Sequence, residues 1–176
     1  MKKLLLVSAL GIMLTGCVVS PSARFVPIEH KMVNKFDVKQ AKNQLKRGSS
    51  KIEGNAFLRQ NGGGVVTCAG QEVWLIPYTE YANEKLSVMY GNSEKGFWNL
   101  LSPQYKFTNE DPAYLANMKS TTCDSQGKFV FDNISKGSYF IATQVFWAVG
   151  YRQQGGFLMQ KIVLNKGESK NIVMSY

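Results

Sequence analysis

The clearest hydrophobic pattern runs from Thr121 to Thr143. Phe129, Phe131, Tyr139 and Ile141 carry the bulk, with small or polar residues between them. A period of two is the mark of strands with one buried face. Asp124-Ser125-Gln126-Gly127 reads as a turn into the first strand, and Asn133 to Gly137 as a short polar connection into the second. The pair is therefore predicted to be a β-hairpin. The same alternation sets Ile52, Gly54, Ala56 and Leu58 on one face of a strand over residues 51–60. A short strand is predicted over 72–78, ending near Pro77. Residues 157–164 and 170–174 close the domain, separated by the turn sequence Asn165-Lys166-Gly167-Glu168. About seven strands with turns between them predict a mainly β chain: an antiparallel, Ig-like β-sandwich over 51–176.

Two other stretches follow a different rhythm. In 33–48, Lys35, Lys39, Lys42 and Lys46 are spaced by four, three and four. Val38, Ala41 and Leu45 fall on another side, so a short amphipathic helix is predicted. Asp37 is its expected cap, with Gly48 at its end. The lysines form a candidate basic face, for anionic headgroups or an acidic partner, or simply a solvated side of a docked helix. At the start of the chain, Lys2 and Lys3 precede the apolar run Leu4–Leu14, too short to span a membrane comfortably. The run ends in Leu14-Thr15-Gly16-Cys17.

That leader resembles the signal sequence of a bacterial lipoprotein. The resemblance implies a signal peptide over 1–16, removal of that leader, and lipidation of Cys17 as the mature N-terminus. Val18 rather than Asp after the cysteine implies the outer membrane, with the body facing the periplasm. Residues 17–50 then form a lipidated tether carrying the basic helix.

The body also resembles a family. Ile52-Glu53-Gly54, Val73-Trp74-Leu75-Ile76-Pro77, Asp124-Ser125-Gln126-Gly127-Lys128-Phe129 and Lys136-Gly137-Ser138-Tyr139 are similar to the carboxypeptidase regulatory-like domain. The resemblance implies a transthyretin-like sandwich serving as an accessory or binding module, with no chemistry of its own. The chain departs from that pattern in a long insertion at about 79–120, more than a sandwich connection needs. Within it, Asp111 and Pro112 predict the start of one or two helical turns.

Composition narrows the function. Charged residues make up 19% and hydrophobic residues 44%, which argues for a globular body. The net charge of +9 suits an acidic partner or an anionic surface, and export removes nucleic acid from consideration. With Cys17 assigned to the lipid, Cys68 and Cys123 remain as an even pair in an exported protein and are predicted to form a disulfide. The only histidine is His30, outside the sandwich, so histidine triads and histidine metal sites lack their parts. The carboxylates fall mostly in turns, and the chain is expected to be non-enzymatic, with no metal and no cofactor.

What remains is a surface for recognition. Aromatic residues reach 12%, and two clusters flank the domain: Phe97 and Trp98 in the insertion, and Phe146, Trp147 and Tyr151 beside Arg152. They form a candidate recognition surface, with the alternative that the rings cover an open sheet face as a second core. The expected function is an outer-membrane lipoprotein presenting a β-sandwich to another envelope protein, as an accessory to an envelope or secretion assembly. The alternative is a lipoprotein that binds glycan or peptidoglycan, or inhibits a cell-wall hydrolase.

Overall fold

A computed structural model describes residues 26–176. The predicted signal peptide and Cys17 lie outside the described residues. In chain order the elements are β1 (Ile28–Lys31), α1 (Val38–Gln44), β2 (Arg47–Arg59), β3 (Val65–Thr67), β4 (Glu72–Pro77) and α2 (Glu80–Tyr90). Then come β5 (Lys95–Asn99), β6 (Tyr105–Thr108), α3 (Ala113–Ala116) and β7 (Lys119–Thr122). The last four are β8 (Lys128–Ile134), β9 (Gly137–Val149), β10 (Arg152–Leu164) and β11 (Ser169–Met174).

The architecture is the expected β-sandwich. One sheet has five strands in the order β5-β10-β9-β4-β7; the other has four, with β2 between β11 on one side and β8 and β3 on the other. Nine strands rather than about seven build the sandwich, because the short β3, β5 and β7 each add an edge pairing. Most pairs are antiparallel, but β11 runs parallel to β2. Alternation places Ile52, Ala56, Leu58, Phe129 and Phe131 from one sheet against Val73, Leu75, Tyr139, Ile141, Leu158 and Ile162 from the other. Each side chain points inward because successive residues of a strand face opposite sides.

The predicted hairpin of 121–143 is corrected. β8 pairs with β2, whereas β9 pairs with β4 and β10, so the two strands lie in different sheets. The connection is an arch over the edge of the core. Asn133 takes φ 57° to make the bend. The Tyr139 hydroxyl lies 2.8 Å from the Gln44 carbonyl and 3.0 Å from that of Ser135, tying the arch to the end of α1. Burial pushes the phenol up to about 12. Strand alternation reports which face is buried, not which neighbour a strand pairs with. The true hairpin joins β9 to β10 through Gly150 and Tyr151. Gly150 alone takes positive φ there, 58°, as in a type II′ turn.

The outer face of the five-stranded sheet is covered by the insertion and the N-terminal segment. Trp74, Ile76, Phe140, Ala142 and Met159 point into a second core with Met32, Phe36, Tyr81, Leu86 and Tyr114. The segment before α1 takes part: β1 pairs in parallel with β6 of the insertion. The eleven-residue α2 and the short strands β5, β6 and β7 are the elements of the insertion absent from the sequence reading. The signals for α2 are present: the Thr79 side chain accepts from Ala82 N–H, and Gly91 closes the helix at φ 65°. The expected turn of helix after Pro112 exists, with Asp111 accepting from Ala113 N–H at 2.9 Å.

The basic helix is shorter than predicted. Asp37 caps it, accepting from Gln40 N–H at 2.8 Å. It ends at Gln44, with Leu45 as its C-cap. Gly48 does not terminate it but lies within β2, packed against the Ile134 backbone. The sandwich strand β2 therefore begins at Arg47, inside the stretch assigned to the tether.

Candidate functional site: a ring-lined cleft at the open end of the sandwich

The aromatic residues expected to form one surface are divided between two. Phe97 and Trp98 are neighbours on β5, and Phe146 and Trp147 are neighbours on β9, so each pair points to opposite faces. Phe97 and Trp147 pack against the sandwich core. Trp98 and Phe146 both meet Phe157 on the outer face, at centroid distances of 5.3 Å. The Trp98 indole donates to the Pro103 carbonyl at 3.0 Å, so its polar edge is already used in holding the loop after β5. Trp98, Phe146 and Phe157 thus act as a cover for the sheet.

The inner pair has an open side. Phe97 and Trp147, joined by Tyr176, line a cleft of about 490 Å³ between the β9–β10 hairpin and the end of β2. Tyr176 stacks on Phe97 with centroids 5.0 Å apart and an interplanar angle of 28°. The parallel pairing of β11 to β2 carries the last residues of the chain to this place. The Trp147 Nε1–H donates to Gln154 Oε1 across the hairpin at 3.1 Å, which fixes the indole's orientation. Amide groups from Asn61, Asn99, Gln153 and Gln154 share the cleft with Arg59 and Arg152. Apolar ring faces beside amides and guanidinium groups suit a ligand that is amphipathic over a short distance.

Arg152, a candidate recognition residue in the sequence reading, lines this cleft. Tyr151 does not join the rings; it stands fully exposed at the hairpin tip. Tyr176 and Phe157, neither of them among the predicted surface residues, complete the two aromatic groups. Gly155, opposite Phe146, takes φ 103° and lines the cleft.

The lysines occupy another side of the molecule. Lys39 and Lys42 are on α1, while Lys35 precedes it and Lys46 follows it. All four are exposed, and no ion pair is formed by any of them among the described residues. The hollow beside α1 joins Lys39 to Lys136 and carries no aromatic side chain. Cys68 and Cys123 form the expected disulfide, with Cα atoms 5.8 Å apart. The bridge fastens the loop before β4 to the residue after β7, closing the insertion onto the sandwich.

No family model and no curated protein matches the chain. A solved structure does. The chain is similar to a protein from Pseudomonas aeruginosa described as a candidate carbohydrate-binding protein, with a TM-score of 0.67. The likeness covers 81% of this chain and 99% of that one, at 19% identity. It shows the fold of the body.

Proposed function

We propose that this chain is a non-enzymatic binding module of the cell envelope that takes a saccharide into the cleft beside Trp147. A lipid on Cys17 holds it at the outer membrane, and its body belongs with carboxypeptidase regulatory-like domains. The observation that carries the proposal is the juxtaposition of three rings and four amides in one cleft. A sugar ring presents C–H faces that pack on aromatic faces, and hydroxyls at its edge that pair with amides. The fold shared with the Pseudomonas aeruginosa protein supports the same class of ligand.

Titration of the purified full chain with soluble oligosaccharides, followed by calorimetry, tests this. Saturable binding that Trp147→Ala abolishes while the fold persists supports the proposal. Absence of binding to every saccharide class, with a folded protein, removes it.

A second reading has its own observation. Leu101, which lines the cleft, is 82% exposed, and Tyr151 at the tip of the β9–β10 hairpin is fully exposed, as anchors for a protein partner would be. On that reading the cleft receives a side chain of another envelope protein. In-cell crosslinking from position 151 to one defined protein favours it, and crosslinking to polysaccharide favours the first.

A further inference from the structure

The charge of the cleft points beyond the class of ligand to its kind. Among the residues lining the cleft there are two arginines, Arg59 and Arg152, and no aspartate or glutamate side chain. Neither arginine has an ion-pair partner among the described residues. Some cations elsewhere sit beside acids, as Lys51 with Glu53, Lys106 with Glu29 and Lys161 with Glu94, while others, the four lysines around α1 included, are unpaired among the described residues like the two arginines. What sets Arg59 and Arg152 apart is that they share one cleft with aromatic rings. The arginines come from the two different sheets, Arg59 ending β2 and Arg152 opening β10.

We infer that the cleft selects an anionic saccharide, one bearing carboxylates, with Arg59 and Arg152 pairing with the acid groups while Trp147 and Tyr176 hold the sugar faces. A guanidinium presents paired N–H donors whose fork matches a carboxylate, so it distinguishes an acid from its neutral ester. Both arginines are exposed. An exposed guanidinium keeps its hydration until a ligand arrives, so the pairing adds selectivity and a strong response to salt. The inference rests on the saccharide reading above. Carboxylates of this kind occur in uronic-acid polysaccharides and in cell-wall muropeptides; the structure assigns the shared acid chemistry, and the probes separate the sources.

The test uses the full chain in detergent at neutral pH, titrated with an oligogalacturonate, its fully methyl-esterified neutral counterpart, and a disaccharide muropeptide. The expected result is about tenfold tighter binding of an acid probe than of the ester, equivalent to one charge-assisted pairing. That preference should disappear in about 0.5 M salt, where screening shortens to about 4 Å, and in an R59A/R152A variant. W147A should weaken acid and ester alike, which separates the ring contribution from the charge contribution. Preference for the oligogalacturonate assigns a uronic-acid polymer, and preference for the muropeptide assigns cell wall. Equal affinity for acid and ester overturns the inference and leaves the saccharide reading intact. Failure of all three probes to bind, together with failure of neutral oligosaccharides, overturns both.

Discussion

Glu84 and Asn34 are joined twice: the Glu84 Oε2 accepts from the backbone N–H of Asn34 at 2.8 Å and from its side-chain Nδ2 at 2.9 Å. The second oxygen, Oε1, accepts from Val33 N–H at 2.8 Å and lies 2.9 Å from His30 Nε2. One carboxylate on α2 therefore fastens the stretch between β1 and α1. The only histidine of the chain serves in this clasp. The N-terminal segment is part of the folded body from β1 onward, because its backbone donors end on a charged acceptor of the insertion.

Substitution of Glu84 should release that segment. In Glu84→Gln the shape is kept, but half of the carboxylate becomes a donor facing other donors. We expect a loss of about 1.5–3 kcal/mol, the range for hydrogen bonds to a charged group. Denaturant unfolding reads the stability. Hydrogen exchange should show residues 28–36 losing protection while β9 and β10 keep theirs.

The same clasp predicts an acid limb. Burial by itself raises the Glu84 pKa, but the N–H groups of Asn34 and Val33 and the His30 ring outweigh it and hold the carboxyl at about 2. A depressed folded-state value means the stabilisation is complete above the ordinary 4.5 and is lost as pH falls from there towards 2. Unfolding free energy of the native chain should decline through that window. Glu84→Gln should remove this component of the slope; an unchanged slope in the variant contradicts the clasp.

The Cys68–Cys123 bridge closes a 55-residue separation. Constraint of the unfolded chain predicts about 4 kcal/mol of stabilisation, less any residual structure in that state. Denaturant midpoints with and without reductant measure it. Both cysteines are buried, so reduction should be slow until the domain opens.

Gly155 bears on the cleft directly. Its φ of 103° and the neighbouring Val145 carbonyl leave no room for a Cβ. Gly155→Ala should cost about 2 kcal/mol or more through backbone strain and overpacking, and saccharide affinity should fall with it. Thermal unfolding and titration together check the pair of effects.

At the N-terminus, Cys17→Ser should abolish incorporation of labelled palmitate and move the chain from the membrane fraction to the soluble periplasmic fraction. Labelling that persists in the variant contradicts lipidation at Cys17.

Much of the sandwich is legible in local pattern, because Ile52, Ala56 and Leu58 or Phe129 and Phe131 reveal a buried face by alternation alone. Pairing is not legible that way. β8 and β9 look like a hairpin in sequence because both strands bury bulky residues in one core, yet they do so from opposite sheets. The division of the site was available in principle: Phe97-Trp98 and Phe146-Trp147 are neighbours, and neighbours on a strand cannot share a face. Tyr176 could not be foreseen, since its stacking on Phe97 depends on the parallel register of β11 with β2. The Glu84 clasp was equally hidden, because it joins residues some fifty positions apart.

Hydrogen exchange on the full chain, with and without saturating acidic oligosaccharide, tests the central claim most directly. The account predicts added protection in β5, in the β9–β10 hairpin and in the residues around Tyr176, and none in α1. Protection confined to α1 and its lysines, or no change at saturation, contradicts it.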